Sequence, residues 1–154
     1  MLTSLDYAKL IQFTAQKMQR TMLNKTQINK ILFYVYGVYL AEVGQPLFDN
    51  EQPQAWPFGP VFPIVNKRIN IDERIKFSDD KIAAYKQNNN ALKIVVDAVK
   101  HMSNRTAVQL TYWSHQEGSP WYKAIYGDGK QPKQNPWSTV ISDNSIKEYF
   151  SNIS

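Results

Sequence analysis

Apolar positions recur at helical spacing through most of this chain, and in one stretch they occupy every side of the helix they define. At about 100° per residue, Ile28, Ile31, Leu32, Val35, Val38 and Tyr39 form one stripe, while Phe33, Gly37, Leu40 and Ala41 fall opposite. A helix apolar all round is buried, and the run 31–41 is much shorter than the ~20 residues that span a bilayer. The pattern predicts a central buried helix over about 26–43, capped by Thr26 and ended by Gly44. Gly37 costs about 1 kcal/mol against Ala inside a helix, so its expected use is to let another backbone approach the second face.

The other elements are read around this one. Thr3 and Asp6 form a capping box for a first helix over about 5–20, with Tyr7, Ile11, Thr14, Ala15, Met18 and Met22 on its inner side. After Gly44 the prolines exclude a long helix. Short extended pieces at 46–48 and 54–56 are expected to pair as a small β-hairpin across Asp49-Asn50, and Gly59-Pro60 to start a helix carrying Val61, Ile64, Val65 and Ile69. Residues 70–90 show no sustained period beyond a short helix capped by Ser78, with Ile82 and Tyr85. Asn88-Asn89-Asn90 caps a strong stripe of Leu92, Val95, Val96, Val99 and Met102, opposed by Lys93, Asp97 and Lys100. Thr106 and Gln109 box the start of a helix at 106–116 that ends by Gly118, and Ser119-Pro120 opens a short helix to Tyr126. Gly127 to Lys130 closes that helix, 130–135 is polar and exposed, and Ser142-Asp143 caps a last helix with Ile146, Tyr149 and Phe150 inward. The expected fold is mainly α, with residues 1–154 as a single compact helical domain.

Composition narrows the chemistry. The absence of cysteine removes thiol nucleophiles, thiolate metal sites and disulfides together, and fits a cytoplasmic address. The segment from Met1 to Asp6 is not basic and leads into an amphipathic helix, so neither a signal peptide nor a membrane span is expected. Eighteen Lys and Arg against 13 acids give a net charge of +5. That balance is compatible with nucleic acid or an acidic protein, but the cations are scattered. Nine tyrosines and four tryptophans supply core packing and candidate interface anchors.

Catalytic sets are not apparent. His101 reads as a surface residue near a helix end and His115 as a structural histidine, and neither has a partner at metal-ligand spacing. The glycines form no phosphate-binding motif, so no cofactor, nucleotide or metal is expected.

Several segments in order carry a family pattern. Thr26 to Tyr34 followed by Gly37 and Leu40, then Pro46-Leu47-Phe48, Ala55-Trp56-Pro57-Phe58-Gly59-Pro60-Val61-Phe62-Pro63, Leu110-Thr111 with His115, and Pro120-Trp121 together resemble the Panacea-domain family, the SocA-like antitoxins often labelled phage-associated proteins. The resemblance covers about 5–150. Two departures stand out: Phe58 replaces the usual Tyr, and His115 lies beyond the place where the family reads Leu-Thr-His.

The resemblance implies a non-enzymatic antitoxin that binds a cognate protein toxin; in some members the antitoxin is also an adaptor to a protease. Family toxins include translation-inhibiting nucleotide or pyrophosphate transferases. Partner-binding candidates are Trp56, Pro57, Phe58, Tyr112, Trp113, His115 and Trp121, where the aromatics also have a core-packing reading. The alternative is a nucleic-acid-binding regulator presenting Lys25, Lys30, Lys67 and Arg68 to phosphates.

Overall fold

The computed structural model describes residues 1–19, 21–129 and 131–153. Arg20, the expected end of the first helix, and Lys130, in the expected closing turn, lie outside the described residues. The chain is mainly α, with elements in the order α1 (Ser4–Thr14), a π-helical turn (Ala15–Gln19), α2 (Lys25–Val43), β1 (Gln54–Trp56), β2 (Gly59–Val61), α3 (Pro63–Arg68), α4 (Asp79–Lys86), α5 (Asn89–Met102), α6 (Ala107–Ser114), α7 (Pro120–Tyr126), β3 (Thr139–Val140) and α8 (Asp143–Ile153). No helix among the described residues is long and apolar enough to cross a membrane.

Helix α2 is the axis of the packing. Ile28, Ile31, Leu32, Val35 and Tyr36 are fully buried, and α1, α5, α6 and α8 pack around them. The crowding expected at Gly37 comes from α8, and it is a side chain and not the expected backbone that fills the space. A Cβ on Gly37 would lie 2.1 Å from the Phe150 ring, which also packs edge-on against Phe33 and Tyr34. The Tyr36 hydroxyl donates to Asp143 Oδ1 at 2.7 Å and ties the same two helices together.

Local capping follows the sequence closely, with one shift. Thr3 and Asp6, Thr106 and Gln109, Ser78, Asn88 and Ser119 all cap as read, and Gly44 ends α2 at φ 85°. The N-cap of α2, however, is Asn24 and not Thr26. Asn24 Oδ1 accepts from the Gln27 amide at 2.8 Å and Gln27 Oε1 from the Asn24 amide at 2.9 Å, so the reciprocal box sits two residues earlier. In the first helix the π-helical turn changes the facing of the side chains beyond Ala15. Met18 and Met22 are consequently exposed, contrary to the inward placement read from a uniform period, while Leu23 is buried.

The segment 45–62 departs most from expectation. Residues 46–48 form no strand, because Phe48 is buried among Tyr36, Phe62 and Tyr7 as part of an aromatic cluster. Asn50, read as part of a turn, does other work: its Oδ1 accepts from the Ser4 amide at 3.0 Å, and the next residue, Glu51, accepts from the Ile64 amide at 2.8 Å, capping the start of α3. β1 pairs instead with β2, and β3 adds on its other side to give the antiparallel order β2-β1-β3. Gly59-Pro60 therefore lies in a strand. Pro63 is the proline at a first helical position.

Candidate functional site

The hairpin β1–β2 turns through Pro57 and Phe58, with Trp56 opposite Gly59. Three backbone carbonyls around this turn are each held by a side chain from a different helix. Trp121 Nε1 of α7 donates to the Trp56 carbonyl at 2.7 Å, Thr111 Oγ1 of α6 to that of Phe58 at 3.3 Å, and Lys30 Nζ of α2 to that of Pro60 at 2.9 Å. Gly59 is the hinge of the arrangement. Its φ of 116° suits glycine, and a Cβ there would lie 2.4 Å from Lys30 Cε and 2.5 Å from Ser114 Oγ.

Beneath the turn, the α6–α7 corner is closed by its serines. Ser119 Oγ donates to the Ser114 carbonyl at 2.9 Å and accepts from the Tyr122 amide at 3.2 Å, while Ser114 Oγ donates to the Thr111 carbonyl at 2.9 Å. His115 stacks on Trp121 with ring centres 3.7 Å apart and planes 15° from parallel. Burial lowers its pKa, and the nearby Lys30 lowers it further, which favours the neutral ring. Lys30 itself is 1% exposed, and burial brings its amine down to about 7. It holds a carbonyl and pairs with no carboxylate among the described residues.

The outcome is a braced turn with its two tip side chains outside. Phe58 is 70% exposed and Pro57 is exposed beside it. Helix α6 continues this surface. Leu110 and Ser114 face the interior, so at about 100° per residue Val108 and Tyr112 form an outer crest; they are 78% and 73% exposed. Thr111 sits on the flank towards Phe58, and Trp113 on the other flank packs at 6.1 Å from the Tyr34 ring.

The seven candidate residues thus divide by depth. Pro57, Phe58 and Tyr112 are on the surface, Trp56, Trp113 and His115 are half-buried, and Trp121 is buried as the post under the turn. Reading by residue type gave Lys30 a phosphate-binding role in place of its role under the turn, and missed the parts played by Thr111, Ser114 and Val108. Lys30 had a visible signal, since it is the single charged residue from 28 to 41. Its burial also removes it from the set of cations offered to phosphates; Lys25, Lys67 and Arg68 are exposed. No group of three or more His, Asp or Glu side chains suited to a metal ion occurs among the described residues.

Comparison with known proteins places these features in a wider set. The family described as Antitoxin SocA-like, Panacea domain, matches residues 28–122, a span that runs from α2 to α7 and holds every residue bracing the turn. Antitoxin SocA of Caulobacter vibrioides (strain NA1000 / CB15N) is 28% identical over 120 residues, 70% of this chain and 62% of that protein. The chain therefore spans less than two thirds of that relative's length. No solved structure matches the chain.

Proposed function

The chain belongs to the SocA-like, Panacea-domain antitoxin family, and from that membership we propose that it is an antitoxin that neutralises a cognate protein toxin by direct, non-enzymatic binding in the cytoplasm. The face around Phe58 makes the contact. The observation that carries this reading is a large aromatic side chain, 70% exposed, on a turn whose Trp56, Phe58 and Pro60 carbonyls are all held from below. Exposed rings on pre-ordered backbone lose little entropy on binding, and aromatic anchors dominate interface energies. Tyr112 and Val108 extend the patch towards the ~800 Å² per partner of a standard interface.

In this reading 1–154 acts as one Panacea-like domain, because α8, outside the matched span, closes the Gly37 face of α2. The family resemblance offers translation-inhibiting nucleotide or pyrophosphate transferases as the toxin class, and delivery to a protease as an additional route of neutralisation. Nucleic-acid binding is the weaker reading, as one of its four cations, Lys30, is engaged with the Pro60 carbonyl inside the fold.

Co-expression with the toxin encoded beside this gene tests the proposal. Growth should be restored and a complex should elute on size exclusion. Phe58→Ala and Tyr112→Ala should each weaken that complex by about 1–2 kcal/mol, or roughly five- to thirtyfold in Kd. Absence of both rescue and complex removes the antitoxin reading.

A further inference from the structure

On the flank of α6 away from the hairpin, a pocket of about 240 Å³ is lined by Tyr34, His101, Met102, Arg105, Leu110 and Trp113. Leu110 and Met102 are buried at its base, and the Tyr34 and Trp113 rings form an aromatic wall. Its volume is below the roughly 300–1,000 Å³ of small-molecule sites, which suits one bulky side chain.

The rim carries one fixed charge, that of Arg105, and no carboxylate. Arg105 is exposed, its Nε donates to the His101 carbonyl at 3.3 Å, and it makes no ion pair among the described residues. Lys100 and His101 are exposed on the same helix end. Several carbonyls that would offset them are already engaged: Val99 accepts from the Ser103 amide and Met102 from that of Arg105, and Arg105's own carbonyl accepts from Gln27 Nε2 at 2.8 Å. From 98 to 116 the sequence has no Asp or Glu. Asp97, the nearest acid before that stretch, lines an adjoining cleft with Glu42 and Lys93 that shares the Tyr34 wall and does not include Arg105.

We propose that this pocket receives a bulky apolar side chain of the toxin, with a neighbouring toxin carboxylate held by Arg105. The inference rests on the antitoxin reading and deepens it: the crest of Val108 and Tyr112 joins the Phe58 turn on one flank to the pocket on the other, so one partner segment laid across α6 meets both. The apolar component is read by the pocket's depth and the acidic component by its rim. Arg is the suited cation because its planar fork binds a carboxylate in two places, whereas Lys offers a point charge.

The test uses the full chain and the toxin encoded beside it, with Kd measured across salt concentration. Arg105→Glu should raise Kd by about tenfold or more and reduce its salt dependence, and Arg105→Lys should fall between. An acidic-to-Lys substitution at the matching toxin position should recover affinity for Arg105→Glu, a rescue that a misfolded variant could not show. If wild type forms no complex, the antitoxin reading and this inference fall together. If the complex weakens with Phe58→Ala but is indifferent to Arg105→Glu, the inference alone is overturned. It is equally overturned if the wild-type chain self-associates without toxin and Arg105→Glu abolishes that association, since the pocket would then hold a second copy.

Discussion

Lys30 shows how one residue joins fold to site. Its side chain is buried against Gly59 and its amine reaches the Pro60 carbonyl at 2.9 Å, so the helix at the centre of the core also fixes the β1–β2 turn. The cost of burial sets a pH dependence. The amine falls from its ordinary 10.5 to about 7 in the folded chain, so between those values the unfolded chain binds a proton that the folded chain has released. Stability therefore rises with pH through that window, and the penalty is full below about 7; a single group contributes a slope of at most about 1.4 kcal/mol per pH unit. His115, whose pKa is lowered from 6.5, acts below the window. Tyr7, Tyr36 and Tyr85 are pushed up from 10.0 and act only from about 10 upwards, above the pH 7–9 range of the test. Denaturant unfolding at pH 7, 8 and 9 should show wild type gaining stability and Lys30→Met showing a flatter profile. Equal slopes in the two proteins would refute the assignment.

At the scale of elements, the informative contrast is between helix ends and the hairpin. Caps such as Thr3, Asn88, Thr106 and Ser119 were legible because the hydrogen bonds that define them close within three residues. The hairpin was misread because its pairing depends on distant partners. Phe48 is taken by the aromatic core, Asn50 by α1 and Glu51 by α3, which leaves Gln54–Trp56 to pair forward with Gly59–Val61. Phe58 and Tyr112 could be nominated by residue type, but the braces under the turn and the pocket beyond α6 exist only once three helices are packed. The α2–α8 crossing gives a prediction of the same kind. Ala at 37 should gain about 1 kcal/mol of helix propensity, yet its Cβ would overlap a Phe150 ring already enclosed by Phe33, Tyr34 and Tyr149. Overpacking of about 1–3 kcal/mol wins, so Gly37→Ala should lower stability in denaturant unfolding. In a Phe150→Leu background the same change should become neutral or stabilising, and additivity of the two substitutions would contradict the crossing.

Across the whole molecule, stability and binding are assigned to opposite ends of the same α2-to-turn connection, and this separation can be tested directly. Val35 is 0% exposed at the middle of α2. An Asp there must lose water without a partner, at a cost of several kcal/mol against a typical total stability of about 5–15. Phe58 stands outside the packing, and a substitution at such a site usually changes stability by only ~0.5 kcal/mol. Val35→Asp should therefore lose its cooperative thermal transition and toxin neutralisation together. Phe58→Ala should keep its melting temperature within a few degrees while binding toxin roughly five- to thirtyfold more weakly. The pairing of outcomes matters more than either one: a general loss of fold would remove binding from both variants, whereas a contact surface mounted on an intact core weakens it in Phe58→Ala with the melt preserved. Should Phe58→Ala melt as early as Val35→Asp, the turn would be a structural part of the core, and the contact face would have to lie elsewhere on the molecule.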